Sequence, residues 1–206
     1  MSYAIEITDL KKKYGNHEVL KGINFCVEHG EVFGILGING AGKTTTLYSI
    51  VDYLNSPEIN ITTIEDPVEI RIDGLNQIEI GNKSTFSGAL RTVLRQDPDI
   101  ILLGEIRDQE TAEIAIQAGQ TGHYVLSTIH TIDAIEVINR LRKMGVSDYD
   151  IASTLATTVS QRLVRRVCPN CRKEREYTQE EKNIMNRLPR SPKKSLFADG
   201  LWGKII

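Results

Sequence analysis

Apolar and polar positions alternate at the start of the chain. Tyr3, Ile5 and Ile7 fall on one side and Ala4, Glu6 and Thr8 on the other, which predicts a half-buried strand over residues 3–9. Lys11 to Asn16 is polar and reads as a turn. Val19 to Val27 reads as a second strand, closed by His29-Gly30, and Val32 to Leu36 as a short buried parallel strand. From about Lys43 to Leu54 the spacing becomes helical, and Ile59 to Ile64 returns to a strand. Ser84 is placed to cap a helix to about Gln96, with Phe86, Leu90, Val93 and Leu94 on its apolar face. Ile100 to Leu103 is a buried strand. Asp108 caps a helix to about Ala118, and Tyr124 to Ile129 is another strand. A helix over Asp133 to Met144 is stopped by Gly145. A further helix is expected over Asp150 to Val159, then a basic strand-like segment over Arg162 to Val167. Beyond Cys171 the chain is polar, carries Pro189 and Pro192, and shows weak periodicity, so most of 172–206 reads as loosely ordered. There are no internal repeats.

Strands alternating with helices imply an α/β fold, with a mostly parallel sheet flanked by helices and an N-terminal antiparallel β segment. In such sheets ligands lie beyond the carboxyl ends of the strands. Residues 37–44, Gly-Ile-Asn-Gly-Ala-Gly-Lys-Thr, fall between a predicted strand and a predicted helix. Glycine is needed there so that backbone N–H groups can turn onto phosphate oxygens without a Cβ in the way. Gly37, Asn39, Gly40, Ala41, Gly42 and Thr45 form the cradle. Lys43 would reach the β- and γ-phosphates, Thr44 would ligate Mg²⁺, and the helix points its positive end at the anion. A chance glycine-rich turn is the bland alternative; the full set of loop residues in strand–loop–helix context favours ATP.

Three later strands end in charged groups. Ile61–Ile64 runs into Glu65-Asp66-Pro67-Val68-Glu69, Ile100–Leu103 into Gly104-Glu105-Ile106-Arg107-Asp108, and Tyr124–Ile129 into His130. In a parallel sheet all three ends share the edge of the phosphate loop. Phosphoryl transfer needs a metal partner, a group that orients water and donors for the γ-phosphate. Glu105 fits the Mg²⁺ shell, Glu65 the water and His130 the γ-phosphate. The plainer reading makes Asp66 and Asp108 helix caps and His130 a surface histidine. His123 lies seven residues before His130 and therefore belongs at the opposite edge of a continuous strand. Arg91 and Arg95, four apart, share a helix face and could neutralise phosphate charge in this or a neighbouring subunit, or pair with nearby acids.

Two family resemblances meet at the loop. "IEITDLKKKY" (5–14) and "GEVFGILGINGAGKTTT" (30–46) resemble the start of an ABC-type ATP-binding subunit, where the aromatic at Tyr14 stacks on adenine. Residues 43–172 resemble the motor ATPases of type II secretion and type IV pilus assembly. The matching segments are "NITTIEDPVEI", similar to an aspartate box, "ALRTVLRQDPDIILLGEIRDQETAEIAIQA", similar to an atypical Walker B region with Gly104 in place of the usual Asp, "TGHYVLSTIHTIDA", similar to a histidine box, and "ASTLATTVSQRLVRRVCPNC". This second resemblance implies a P-loop, RecA-like fold. It assigns Glu65, Asp66, Glu69, Glu105, His123 and His130 to the active site, with Arg91, Arg95 and Arg107 as charge partners. It also implies a ring, a hexamer, at the cytoplasmic face of the inner membrane on a platform protein. Both families share "GKTTTL", so a fusion joined there is expected. The implied division is 1–30 as ABC-like β segment, 31–167 as ATPase core and 168–206 as a truncated cysteine-motif region. No ABC signature "LSGGQ" follows the loop, and "FSGAL" at 86–90 is a faint echo. The large N-terminal domains usual in the motor family are not in this sequence.

Composition narrows the rest. A chain of 206 residues with 40% hydrophobic and 25% charged residues is of ordinary globular type. Its net charge of −2 offers no global field for nucleic acid. No apolar run is long enough to span a bilayer, and Lys11-Lys12-Lys13 is followed by no apolar stretch, so a cytoplasmic location is expected. Cys168 and Cys171 have metal-knuckle spacing, but a structural zinc site wants four ligands and the family's second Cys-x-x-Cys does not follow; reduced thiols are the expected state. Cys26 reads as a small core residue. Three readings stay open: motor ATPase, ABC-type subunit, and a nucleotide-binding hybrid that does no mechanical work.

Overall fold

The computed structural model describes residues 5–27, 32–36, 40–82, 84–131, 133–163, 172–174, 176, 178–185 and 196–198. The chain divides into two compact units, Met1–Arg162 and Leu163–Ile206.

In the first unit, β1 (Ile5–Tyr14) and β2 (His17–Val27) pair as an antiparallel hairpin. The turn is Gly15-Asn16 alone, so Lys11–Tyr14, expected as turn, continues the strand. Then come β3 (Val32–Leu36), α1 (Lys43–Leu54), β4 (Ile61–Glu65), β5 (Asn76–Glu79), α2 (Phe86–Val93), β6 (Ile100–Leu103), α3 (Gln109–Gln120), β7 (Tyr124–Ile129), α4 (Glu136–Lys143), α5 (Asp148–Thr154) and β8 (Leu155–Ser160). Six strands form one sheet in the order β5-β4-β6-β7-β3-β8, and every pairing in it is parallel. The hairpin is a separate sheet.

Strand periodicity divides the core between the two faces. Ile101 and Leu103 of β6 pack with Leu90 and Val93 of α2 and Ala112 and Ala115 of α3. Ile100 and Leu102, pointing the other way, pack with Leu47, Ile50 and Val51 of α1 and with Ile7, Leu10 and Leu20 of the hairpin. Each fully buried aliphatic side chain contributes about 1.5–3 kcal/mol. The hairpin therefore caps the outer side of α1. The Lys12–Asp52 ion pair at 2.7 Å joins them at the surface, where such pairs add little.

Several local expectations are corrected. Thr85, not Ser84, caps α2 by accepting from Gly88 N at 3.1 Å, while Ser84 closes a turn with Gly81. Arg95 lies past the end of α2, so it does not share a helix face with Arg91. Asp133 accepts from the Ile135 and Glu136 amides, and α4 begins only at Glu136. The helix expected to Val159 stops at Thr154; Thr157, Thr158 and Val159 instead extend alongside Phe33–Ile35 of β3, where their branched Cβ atoms suit a pleated surface. Arg162 and Leu163 are not in a strand, and 164–167 lie outside the described residues. Strand β5 was not expected: Asn76–Glu79 is polar and pairs only at the sheet edge. Cys26 is exposed rather than in the core.

In the second unit, β9 (Arg172–Glu174), α6 (Gln179–Met185) and β10 (Leu196–Ala198) are described, and β9 pairs antiparallel with β10. Most of 172–206, expected to be loosely ordered, lies outside the described residues. Among the described residues no helix is long and apolar enough to cross a membrane.

Candidate active site

Because β3, β4, β6 and β7 run parallel, their carboxyl ends all lie at one sheet edge. That edge receives the loop after β3, Glu65 at the end of β4 and Asp66 just after it, Gly104 to Asp108 after β6 and His130 after β7.

Gly37 and Asn39 lie outside the described residues. Gly40 and Gly42 take φ of 79° and 81°, the left-handed region that favours glycine. Gly42 is the N-cap of α1 and gives no side-chain cap; the first-turn N–H groups of a helix are the usual site for an anion. Ala41 is buried. Thr46 secures this turn, its hydroxyl bonding Gly42 O at 3.2 Å and Gln161 Oε1, just after β8, at 2.9 Å. Thr44 and Thr45 occupy the first turn of α1. Lys43 is 8% exposed. Burial lowers its ammonium below the usual lysine range, and the Glu105 carboxylate works against that shift.

Glu105 is the electrostatic centre. It forms an ion pair with Arg107, and His130 Nε2 lies 3.1 Å from its other oxygen. Burial alone would raise its carboxyl; the hydrogen bond and charge of Arg107, then those of His130, outweigh burial and hold it below the usual range. The charge of Asp66 also acts on Arg107. The backbone on both sides of Glu105 is pinned: Gly104 N donates to Ile64 O at 2.8 Å, Ile106 N to Thr128 O at 3.0 Å, and Thr128 Oγ1 to Gly104 O at 2.7 Å. Asp108 caps α3, accepting from Thr111 N at 2.8 Å and Thr111 Oγ1 at 3.0 Å.

Glu65 is placed differently from its charged neighbours. It is 4% exposed and points to the α1 side of the sheet. One oxygen accepts from the Tyr48 hydroxyl; the other accepts from Thr63 Oγ1 at 2.5 Å and Gln77 Nε2 at 3.3 Å. Glu69 is exposed and meets this network through its backbone amide. Tyr48, Thr63, Gln77 and Gln161 were not singled out from the sequence. Tyr48 reads there as one more apolar helix position, and no local signal shows where its hydroxyl goes.

The remaining candidates stand apart. Arg91 pairs with Glu110 at 2.5 Å on the surface, and Arg95 is exposed. His123 precedes β7, at the end opposite His130, with Nδ1 3.1 Å from Thr121 Oγ1 and 3.2 Å from Ala118 O. Tyr14 ends β1 in register with His17. Cys168 and Cys171 lie outside the described residues. Among the described residues no cluster of three His, Cys, Asp or Glu side chains suits a metal ion. The Thr44 hydroxyl and the Glu105 carboxylate are hard oxygen donors of the kind Mg²⁺ takes, the rest of its shell being waters and phosphate oxygens.

The chain is 45% identical over 166 residues to the type II secretion system ATPase E of Vibrio cholerae, covering 80% of this chain and 33% of that protein. It is 53% identical over 141 residues to the type IV pilus assembly ATPase PilB of Acinetobacter baylyi, covering 68% and 24%. It thus spans a quarter to a third of the length of these relatives. Among solved structures, the pilus retraction motor PilT with bound ADP superposes with a TM-score of 0.60 at 37% identity, over 66% of this chain and 43% of that one. The model of the family described as "Type II/IV secretion system protein" matches residues 14–197, and the chain belongs to that family.

Proposed function

We propose that this chain is the nucleotide-hydrolysing core of a type II secretion or type IV pilus motor, converting ATP and water to ADP and phosphate. The observation that carries the reading is the meeting, at one sheet edge, of an α1 N-terminus opened by Gly40 and Gly42, the buried Lys43, and Glu105 bracketed by Arg107 and His130. The names of the relatives support it.

In this reading the α1 amides and Lys43 hold the β- and γ-phosphates. Thr44 and Glu105 would hold Mg²⁺, which neutralises charge on the transferring phosphoryl group. Arg107 and His130 fix Glu105, and His130 is placed to meet the γ-phosphate. Glu65 orients the attacking water. A carboxylate offers about four acceptor positions, and Tyr48, Thr63 and Gln77 take three of them. Water attacks the γ-phosphorus, and the bond to the β,γ-bridging oxygen breaks. Asp66 lies near enough to act on Arg107 and stays with this centre; Glu69, Arg91, Arg95 and His123 are assigned to contacts with a neighbouring subunit of a ring, a hexamer at the cytoplasmic face of the inner membrane. Residues 3–46 carry the ABC-type resemblance and β1 lies largely ahead of the family match; we assign the hairpin to a fused segment joined at Gly42–Leu47, with Tyr14 at adenine.

The test is Mg²⁺-dependent ATP turnover per protomer across a dilution series. Turnover is expected to rise with concentration and to vanish in Lys43→Ala and Glu105→Gln, with ATP binding lost only in the first. Folded protein with no turnover above these controls would sink the hydrolytic reading.

A further inference from the structure

We propose that Tyr48 is a positioning residue for the Glu65 carboxylate, coupling the phosphate-binding helix to the acidic loop after β4. This rests on the hydrolytic reading above and deepens it.

A tyrosine hydroxyl has one proton to donate and two lone pairs that accept. All three are used here. The proton goes to Glu65 Oε2; the lone pairs receive Glu69 N at 3.1 Å and Ile70 N at 3.3 Å. The ring is 3% exposed and packed in the core between α1 and the sheet. Tyr48 sits on the helix that begins at Lys43, five residues on. The oxygen it holds is therefore tied by one rigid helix to the phosphate-gripping lysine. Gln77 closes the far side: its Nε2 donates to Glu65 Oε1 and, at 3.0 Å, to Ile70 O, and its Oε1 accepts Ile72 N at 2.9 Å. Residues 69–72 are thus hung on two side chains that also hold Glu65.

Packing alone does not account for this. A phenylalanine would fill the same space but would leave Glu65 Oε2, in a carboxylate only 4% exposed, without the hydroxyl that donates to it, and would release the Glu69 and Ile70 amides. Burial and the Glu65 hydrogen bond push the phenol up to about 12, so it remains a protonated donor throughout the working pH range. Tyr48 is the titratable side chain hydrogen-bonded to Glu65; Thr63 and Gln77 are uncharged.

The test is Tyr48→Phe beside Thr63→Val, in the full chain. Tyr48→Phe is expected to lower kcat about tenfold with KM for ATP within about twofold, because phosphate binding is untouched. Amide exchange at Glu69 and Ile70, read with or without ATP, should accelerate about tenfold or more. Thr63→Val, which also removes a hydrogen bond to Glu65, should lower kcat and leave those two amides protected. Unchanged kcat and exchange in Tyr48→Phe would overturn the assignment, as would faster turnover, which would make the hydroxyl a restraint on Glu65. A folded wild-type chain that hydrolyses no ATP would overturn the parent reading and this one together; a wild type silenced by Lys43→Ala but indifferent to Tyr48→Phe would overturn this one alone.

Discussion

Gly104 is where the approach of β4 and β6 is tested most directly, and Gly104→Ala probes it with one methyl. A Cβ there would meet Ile64 O at 3.3 Å, Glu65 Cα at 3.5 Å and Phe86 Cε1 at 3.8 Å. The Ile64 carbonyl cannot easily retreat: it accepts Gly104 N at 2.8 Å, and β4 is held between β5 and β6. Two effects oppose each other. Gly104 is not in the left-handed region, so alanine carries no dihedral penalty and stabilises by about 0.4–1 kcal/mol through the unfolded chain. Overpacking a closed site costs about 1–3 kcal/mol. Overpacking wins because the nearest contact is backbone, leaving a net loss of about 1 kcal/mol. For a chain of this size that lowers Tm by about 2–4 °C. Thermal melts followed by circular dichroism, wild type against Gly104→Ala, read this directly. A Tm equal to or above wild type would show that β4 yields freely and that the strand approach does not constrain the Glu65–Glu105 spacing.

Asp108→Ala removes the α3 cap and should cost about 1 kcal/mol, read as a lower urea midpoint, while Asp108→Asn should retain most of it. The Glu105 carboxyl is depressed in the folded protein, so its stabilising contribution is fully present above the unfolded glutamate value of about 4.3 and is lost as pH falls through its lower folded value. The Tm difference between wild type and Glu105→Gln should therefore be constant near neutrality and shrink below about pH 4.3; a difference that persists unchanged into acid would remove the charge interaction with Arg107 and His130 as its source.

Much of the framework was legible from residue order. The ranges of β3, α1, β6 and β7 follow from runs of apolar residues whose period is local, and the Asp108 cap from a carboxylate set against its own helix. A parallel sheet then places Glu65, Asp66, Glu105 and His130 at one edge and His123 at the other, because strand direction alone decides which end a flanking residue occupies. Other features depend on distant partners. Residues 155–159 can continue a helix until β3 offers an unpaired edge, and β5 has no apolar signature because it pairs on one side only. The local pattern leaves Glu65 facing water at a strand end; Tyr48, 17 positions earlier, and Gln77, 12 later, draw it inward. Glycine loops, periodicities and caps are contracts between near neighbours and can be read along the chain. Whether a carboxylate meets solvent or a tyrosine is settled by which helix crosses which strand, and only the folded protein decides that.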